Sequence, residues 1–198
     1  MTKSLFLFVF IFLKLSCYPQ TLENKKKQNS LLGIGVNLGG TLLWDRKSHR
    51  LNGDAGLVAN IYVEYIKYKY IYKLRLNYTG EFNILGNINP EEQTELAYLI
   101  GRFFEKRFFF TELNAGVSYT SAAFRKTIYD TASGENREIH SSYHYFGLAY
   151  EAKAGYQFKI GRLRFCPLVL AVQGNCSIRG SYTGITIGSI YRFDLTRK

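Results

Sequence analysis

From Leu31 onward the chain alternates apolar and polar residues with period two, the spacing at which successive strand side chains leave opposite faces. Leu32, Ile34, Val36, Leu38, Leu42 and Trp44 share one face against Gly33, Gly35, Asn37, Gly39 and Thr41. Leu57, Ala59, Ile61, Val63 and Tyr65 oppose Val58, Asn60, Tyr62 and Glu64, and Tyr70, Tyr72, Leu74, Leu76 and Tyr78 oppose Lys73, Arg75, Asn77 and Thr79. The rhythm returns at 111–119, 146–158 and 185–193. It predicts eight strands, at 31–44, 55–66, 70–82, 94–104, 108–124, 143–159, 163–173 and 181–193. Two of these alternate poorly. Leu96 to Phe104 does so weakly, and Leu163 to Val172 is almost continuously apolar around Pro167, which removes a ladder hydrogen bond and leaves the parity open. A rival exists at 89–100, where Asn89-Pro90-Glu91-Glu92 reads as a helix N-cap, a first-turn proline and two acids.

Connection lengths add topology. Short links at Lys67-Tyr68-Lys69, Glu105-Lys106-Arg107 and Lys159-Ile160-Gly161-Arg162 alternate with longer ones, the longest at Arg125 to Ser142. Sorting of long loops to one end and tight turns to the other predicts an antiparallel up-and-down barrel whose ends meet different environments.

The composition of the two faces says which one points inward. The polar face carries Glu64, Glu81, Glu95, Glu112 and Glu151 with Lys73, Arg75, Lys153, Arg164 and Arg192, a balanced set suited to a narrow lumen. Unpaired buried charges would cost several kcal/mol each. The predicted lumen network is Glu64, Lys73, Arg75, Glu112, Glu151, Lys153 and Arg192. The other face is Leu, Ile, Val, Ala, Tyr and Phe, as contact with hydrocarbon demands, and about 9–11 tilted residues cross a bilayer. Closure then leaves no backbone group unsatisfied in lipid. Aromatic residues gather at both strand ends, which predicts two interfacial belts. Tyr68, Tyr70, Phe103, Phe104, Phe108, Phe109, Phe158, Phe165 and Phe193 lie near the tight turns. Trp44, Tyr78, Phe82, Tyr119, Phe124, Tyr143, Tyr145 and Tyr182 lie near the long loops.

The start of the chain belongs to targeting. Lys3, the apolar run Leu5 to Leu13 and the polar Ser16-Cys17-Tyr18-Pro19-Gln20 form a secretory signal pattern too short to span a bilayer. Residues 1–20 are therefore read as a cleaved signal peptide, 21–30 as a polar tail, 31–193 as the transmembrane barrel and 194–198 as a C-terminal extension. Cys17 leaves open a lipidated N-terminus.

With a signal segment, eight alternating strands and a last strand ending Ile190-Tyr191-Arg192-Phe193, the chain resembles the small outer-membrane β-barrels of Bacteroidota, in the style of OmpA- and OmpX-like barrels. The resemblance implies an all-β transmembrane barrel in the bacterial outer membrane, contact with outer-membrane lipid and recognition of Phe193 by the barrel-assembly machinery. It transfers no catalytic, cofactor or metal residue. The leading functional reading is a structural or interaction barrel whose long extracellular loops offer a binding surface to a protein partner.

Charge and chemistry change this picture little. The formal charge of +11, from 26 Lys and Arg against 15 Asp and Glu, first suggests a polyanion. Much of the excess falls at Lys25 to Lys27, in the tight turns and at Arg197 and Lys198, all on one side of the membrane, where anionic headgroups suffice and nucleic acid is not required. His49, His140 and His144 form no metal-ligand spacing with the cysteines. Cys166 and Cys176 lie roughly 25–30 Å apart along a strand, beyond the reach of a disulfide. Two alternatives to a structural or interaction barrel remain. His140-Ser141-Ser142 with Glu138 is similar to the His, Ser and Glu of outer-membrane lipid A deacylases, although here they crowd one loop. A secreted lipocalin-like carrier would hold an apolar ligand inside, but Trp44 ends strand one instead of lying near its start.

Overall fold

The computed structural model describes residues 30–45, 54–81, 91–130, 135–177 and 180–195. The signal segment, Cys17, the tail to 29, His49, and the last three residues lie outside them. Eight strands follow one another as β1 (Leu31–Asp45), β2 (Asp54–Lys67), β3 (Tyr70–Glu81), β4 (Glu91–Lys106), β5 (Phe109–Asp130), β6 (Glu135–Ile160), β7 (Leu163–Cys176) and β8 (Gly180–Asp194). Each pairs antiparallel with its neighbours in sequence, and β1 pairs β8 from Leu31↔Asp194 to Asp45↔Gly180, which closes the barrel. Just past that seam Leu195 N donates to Ser30 O at 2.9 Å.

Tight two-residue turns sit at one end, at Tyr68-Lys69, Arg107-Phe108 and Gly161-Arg162. Tyr68 and Lys69 both have positive φ, 53° and 72°, the signature of a type I′ turn whose twist matches the flanking strands. Arg107 (56°) and Gly161 (61°) open the other two turns in the same left-handed region. In the segment 89–100 the described residues, from Glu91 on, are strand, not helix: β4 holds Glu91 to Lys106 between β3 and β5, and two ladders outweigh a local helix-start signal.

The interior and exterior faces follow the alternation. Leu32, Ile34, Val36, Leu38, Ile61, Val63, Leu74, Leu76, Ile185 and Ile187 are exposed on the outer wall, whereas Asn60, Glu64, Lys73, Arg75, Asn77 and Thr79 are buried inside. Inward glycines make room for bulky interior side chains. A Cβ on Gly33 would stand 2.8 Å from Glu64 Cγ, one on Gly155 would stand 2.6 Å from the Phe110 ring, and one on Gly35 would overlap the Tyr62 ring.

Three features depart from the sequence expectations. First, the described residues of the expected loop from Arg125 to Ser142 are strand. β5 runs on to Asp130 and β6 starts at Glu135, pairing from Phe124↔Ser141 to Asp130↔Glu135 as a two-stranded ribbon. Polar ribbon residues satisfy their backbone by pairing with each other, so they need no apolar face and leave no alternation to detect. Second, β7 changes parity at a bulge. Arg164 and Cys166 point inward, Pro167 and Leu168 are both exposed, and Val169, Ala171 and Gln173 point inward again. The proline that obscured the pattern sits where no ladder hydrogen bond is asked of it.

Third, not every terminal aromatic joins a belt. Phe103, Tyr145 and Tyr182 are buried inside, and Tyr143 stacks on Tyr145 with 5.6 Å between ring centroids. Phe103 packs on Phe110 at 6.0 Å, while the hydroxyls of Tyr145 and Tyr182 serve interior hydrogen bonds. Tyr68, Phe104, Phe108, Phe109, Phe158 and Phe193 at the turn end, and Tyr78 and Tyr119 at the other, are exposed. The side chains of Trp44, Phe82 and Phe124 lie outside the described residues.

Candidate functional site

The chemistry of the chain is concentrated in the barrel interior, in three levels. Nearest the tight turns is an apolar level of Leu31, Ile66, Ile71, Phe103, Phe110 and Ile190, with Cys166 among them. Above it lies a charged level. Lys73 Nζ, on β3, meets Glu151 Oε2 at 2.5 Å, Glu112 Oε2 at 2.8 Å and Glu64 Oε2 at 3.3 Å, one cation against three carboxylates from three other strands. Arg192, on β8, donates through Nε to Glu64 Oε1 at 2.7 Å and through Nη2 to Glu112 Oε1, so each of those acids is shared by two bases. Its guanidinium lies over the rings of Phe110 (4.2 Å) and Phe103 (5.0 Å), which fastens the charged level to the apolar one.

Lys153 is held without a hydrogen bond, its Nζ 3.5 Å from Glu151 Oε1 and 3.5 Å above the Tyr62 ring. Arg75 links the charged level to the one above. Its Nη2 donates to Glu95 Oε1 at 2.8 Å, and its Nη1 stands 3.9 Å from Glu151 Oε1. Glu64, Glu95, Glu112 and Glu151 thus face Lys73, Arg75, Lys153 and Arg192, four acids against four bases. That match is what allows these charges to be withdrawn from water.

The third level is a hydrogen-bond network of uncharged side chains gathered around the Glu95 carboxylate. The Tyr182 hydroxyl donates to Glu95 Oε1 at 3.0 Å and accepts from Asn77 Nδ2 at 2.6 Å. Asn175 Nδ2 reaches Glu95 Oε2, Ser118 Oγ and Thr120 Oγ1 within 2.7–3.0 Å. Gln173 accepts from Asn60 Nδ2 at 2.9 Å and donates to Asn77 Oδ1 at 3.3 Å. At the opposite, tight-turn mouth, a cavity of about 450 Å³ is lined by Glu105, Arg107, Phe108, Gln157, Lys159 and Arg164. There Arg164 Nη1 donates to both carboxylate oxygens of Glu105, Oε1 at 2.7 Å and Oε2 at 2.6 Å.

The structure places Glu64, Lys73, Arg75, Glu112, Glu151, Lys153 and Arg192 in contact with one another inside the barrel. Parity reasoning also put Glu95 and Arg164 on the inward face; Glu95 sits in the third level and Arg164 at the tight-turn mouth. Tyr62, Gln173, Asn175, Tyr182 and the apolar level were missed as interior groups of consequence. For Tyr62 the signal was an inward position opposite Gly35, and for Asn175 an inward position beside Gly147. Of the groups weighed for lipid chemistry, the side chains of Glu138, His140 and Ser141 lie outside the described residues. His144 is exposed and stacks on Tyr119 at 5.8 Å. Cys166 and Cys176 are free thiols.

No protein-family model and no curated protein matches the sequence. Among solved structures, the chain is similar to neisserial surface protein A, with a TM-score of 0.58 and 10% identity over 83% of this chain and 97% of that one. It is also similar to Ail, the attachment invasion locus protein of Yersinia pestis, with a TM-score of 0.55 and 12% identity over 85% of this chain and all of that one. At such identities the likeness concerns architecture: the chain has the eight-stranded, all-antiparallel closed fold of the small outer-membrane β-barrels.

Proposed function

We propose that this protein is an outer-membrane barrel of structural or interaction role, its lumen plugged by paired charges. The observation that carries the reading is its inverted partition. Leu38 is 65% and Ile185 67% exposed on the outer wall, while Lys73, Arg75 and Arg192 are fully buried. A barrel in water gains by the opposite arrangement; only a hydrocarbon surround makes this one favourable. A lipocalin-like carrier needs an apolar cavity where this barrel packs ion pairs.

The biogenesis implied by the sequence completes the reading: export by residues 1–20, then assembly by machinery that reads Phe193, in a bacterium of the Bacteroidota. The β5–β6 ribbon is the partner surface. Among the described residues, β6 pairs with β7 only from Leu148 onward, so Glu135 to Gly147 keep one strand edge open. Such an edge accepts an extended segment of another protein through backbone hydrogen bonds.

Planar-bilayer recording on the refolded protein tests the plug. Eight strands leave an interior just wide enough for side chains, so the expected trace lacks a stable large conductance. A sustained open channel in the wild type would contradict the plugged lumen.

A further inference from the structure

We propose that the tight-turn mouth of the lumen is a binding pocket for the free carboxylate end of a short peptide, held by Arg107, Gln157, Lys159 and Arg164. The chemistry belongs to the barrel end itself; only its location on the periplasmic side rests on the membrane reading above. Strand register brings the groups together. Lys159 of β6 pairs directly with Arg164 of β7, which sets two bases on one face about 5 Å apart. Gln157 N donates to Phe108 O at 2.7 Å, fixing β6 against the β4–β5 turn that carries Arg107. With Glu105 and Phe108 these four residues line the cavity of about 450 Å³, a size within the range of small-molecule sites. The Glu105 side chain is 35% exposed, so the cavity opens to water.

Glu105 shows what the pocket accepts. Its carboxylate takes hydrogen bonds from Arg164 Nη1 at 2.6 and 2.7 Å and from Gln157 Nε2 at 2.7 Å. It offsets one of the three bases in the lining, and Arg107 and Lys159 make no ion pair among the described residues. Like charges directly opposite each other on neighbouring strands repel, and a second carboxylate beside Lys159 and Arg164 relieves that repulsion.

Two unmet polar atoms are the independent observation. Arg164 is 4% and Gln157 3% exposed, yet Arg164 Nε has no acceptor and Gln157 Oε1 no donor. Nη1 is committed to Glu105, so the Nε edge of the guanidinium is the one left for a further oxygen. Both side chains meet on one atom, Glu105 Oε1, which keeps their unmet atoms within reach of a single ligand. That ligand must bring an acceptor and a donor close together. The last residue of a peptide presents both, a carboxylate and its own amide N–H, whereas a phosphodiester offers acceptors alone. Phe108, the apolar member of the lining, suits the side chain of that residue.

Isothermal titration calorimetry of the full chain refolded in neutral detergent provides the test, with acetyl-Ala-Ala, its C-terminal amide and inorganic phosphate as probes. Wild type should bind the free acid, and the amide more weakly by about tenfold or more, as loss of a charge-assisted hydrogen bond requires. R164Q should lose the acid's advantage, and R107N/K159Q, at exposed positions, should weaken binding severalfold. K69N/K106Q removes equal charge at the same end from residues outside the pocket and should keep wild-type affinity. No binding at millimolar peptide, equal binding of acid and amide, equal loss in both double variants, or displacement of the peptide by equimolar inorganic phosphate would each overturn the pocket. Heat-modifiable migration reports whether each variant folds; should R164Q not fold, the contrast between the two double variants decides. Insertion into phosphatidylcholine vesicles is scored in parallel. A wild type that inserts but does not bind refutes the pocket alone, whereas one that binds but does not insert refutes the membrane reading and leaves the pocket standing.

Discussion

Lys73 is the residue on which most depends, because its one ammonium faces three buried carboxylates. Replacing it with methionine strands negative charge in the interior, and breaking a buried pair in this way costs about 3–5 kcal/mol. K73M should therefore lower the denaturant midpoint of the refolded barrel strongly. K73M/E151Q removes one charge of each sign and should recover much of the loss; a double variant no better than the single would show that charge balance is not what holds this level together. Gly35 makes a steric counterpart. Its Cβ would overlap the Tyr62 ring that seats Lys153, so G35A should cost about 1–3 kcal/mol, with most of it restored in G35A/Y62L. Chemical denaturation of the two variants side by side checks this.

At the scale of elements, legibility followed burial. Alternation identified the inward charges because a strand with lipid on one side and a lumen on the other cannot shift by one residue without exchanging its faces. It failed where that constraint lapses. β7 changes parity at Pro167-Leu168, and among the described residues the ribbon beyond Phe124 is paired on its own two strands only. Aromatic identity was ambiguous for a related reason: Phe103 and Tyr182 suit a headgroup belt or an interior level equally well, and only inward position separates the two. Because residues 126–130 pair with 135–139 and, among the described residues, with no other strand, joining Arg125 to His140 through Asn-Gly should leave heat-modifiable folding intact. Loss of folding in that variant would mean the ribbon is a structural part of the barrel. The β2–β3 turn offers a gain instead. Tyr68 and Lys69 hold positive φ that Asn and Gly adopt more readily, so Y68N/K69G should raise the unfolding free energy by about 1 kcal/mol, read from the denaturant midpoint.

For the whole molecule, the account rests on an inverted partition, in which hydrocarbon takes the place of a core and ion pairs take the place of a lumen. Adjacent residues Tyr62 and Val63 test it at one depth, since Tyr62 is 1% and Val63 47% exposed on opposite faces of β2. In a Trp44→Phe background, V63W and Y62W are refolded separately into phosphatidylcholine vesicles carrying brominated acyl chains, and tryptophan fluorescence is compared with that in unbrominated vesicles. V63W should lose most of its emission, because its ring touches the brominated chains, and Y62W should keep most of its own inside the barrel. Equal quenching of the two, quenching of Y62W alone, or protein that remains in the aqueous phase would contradict the central claim.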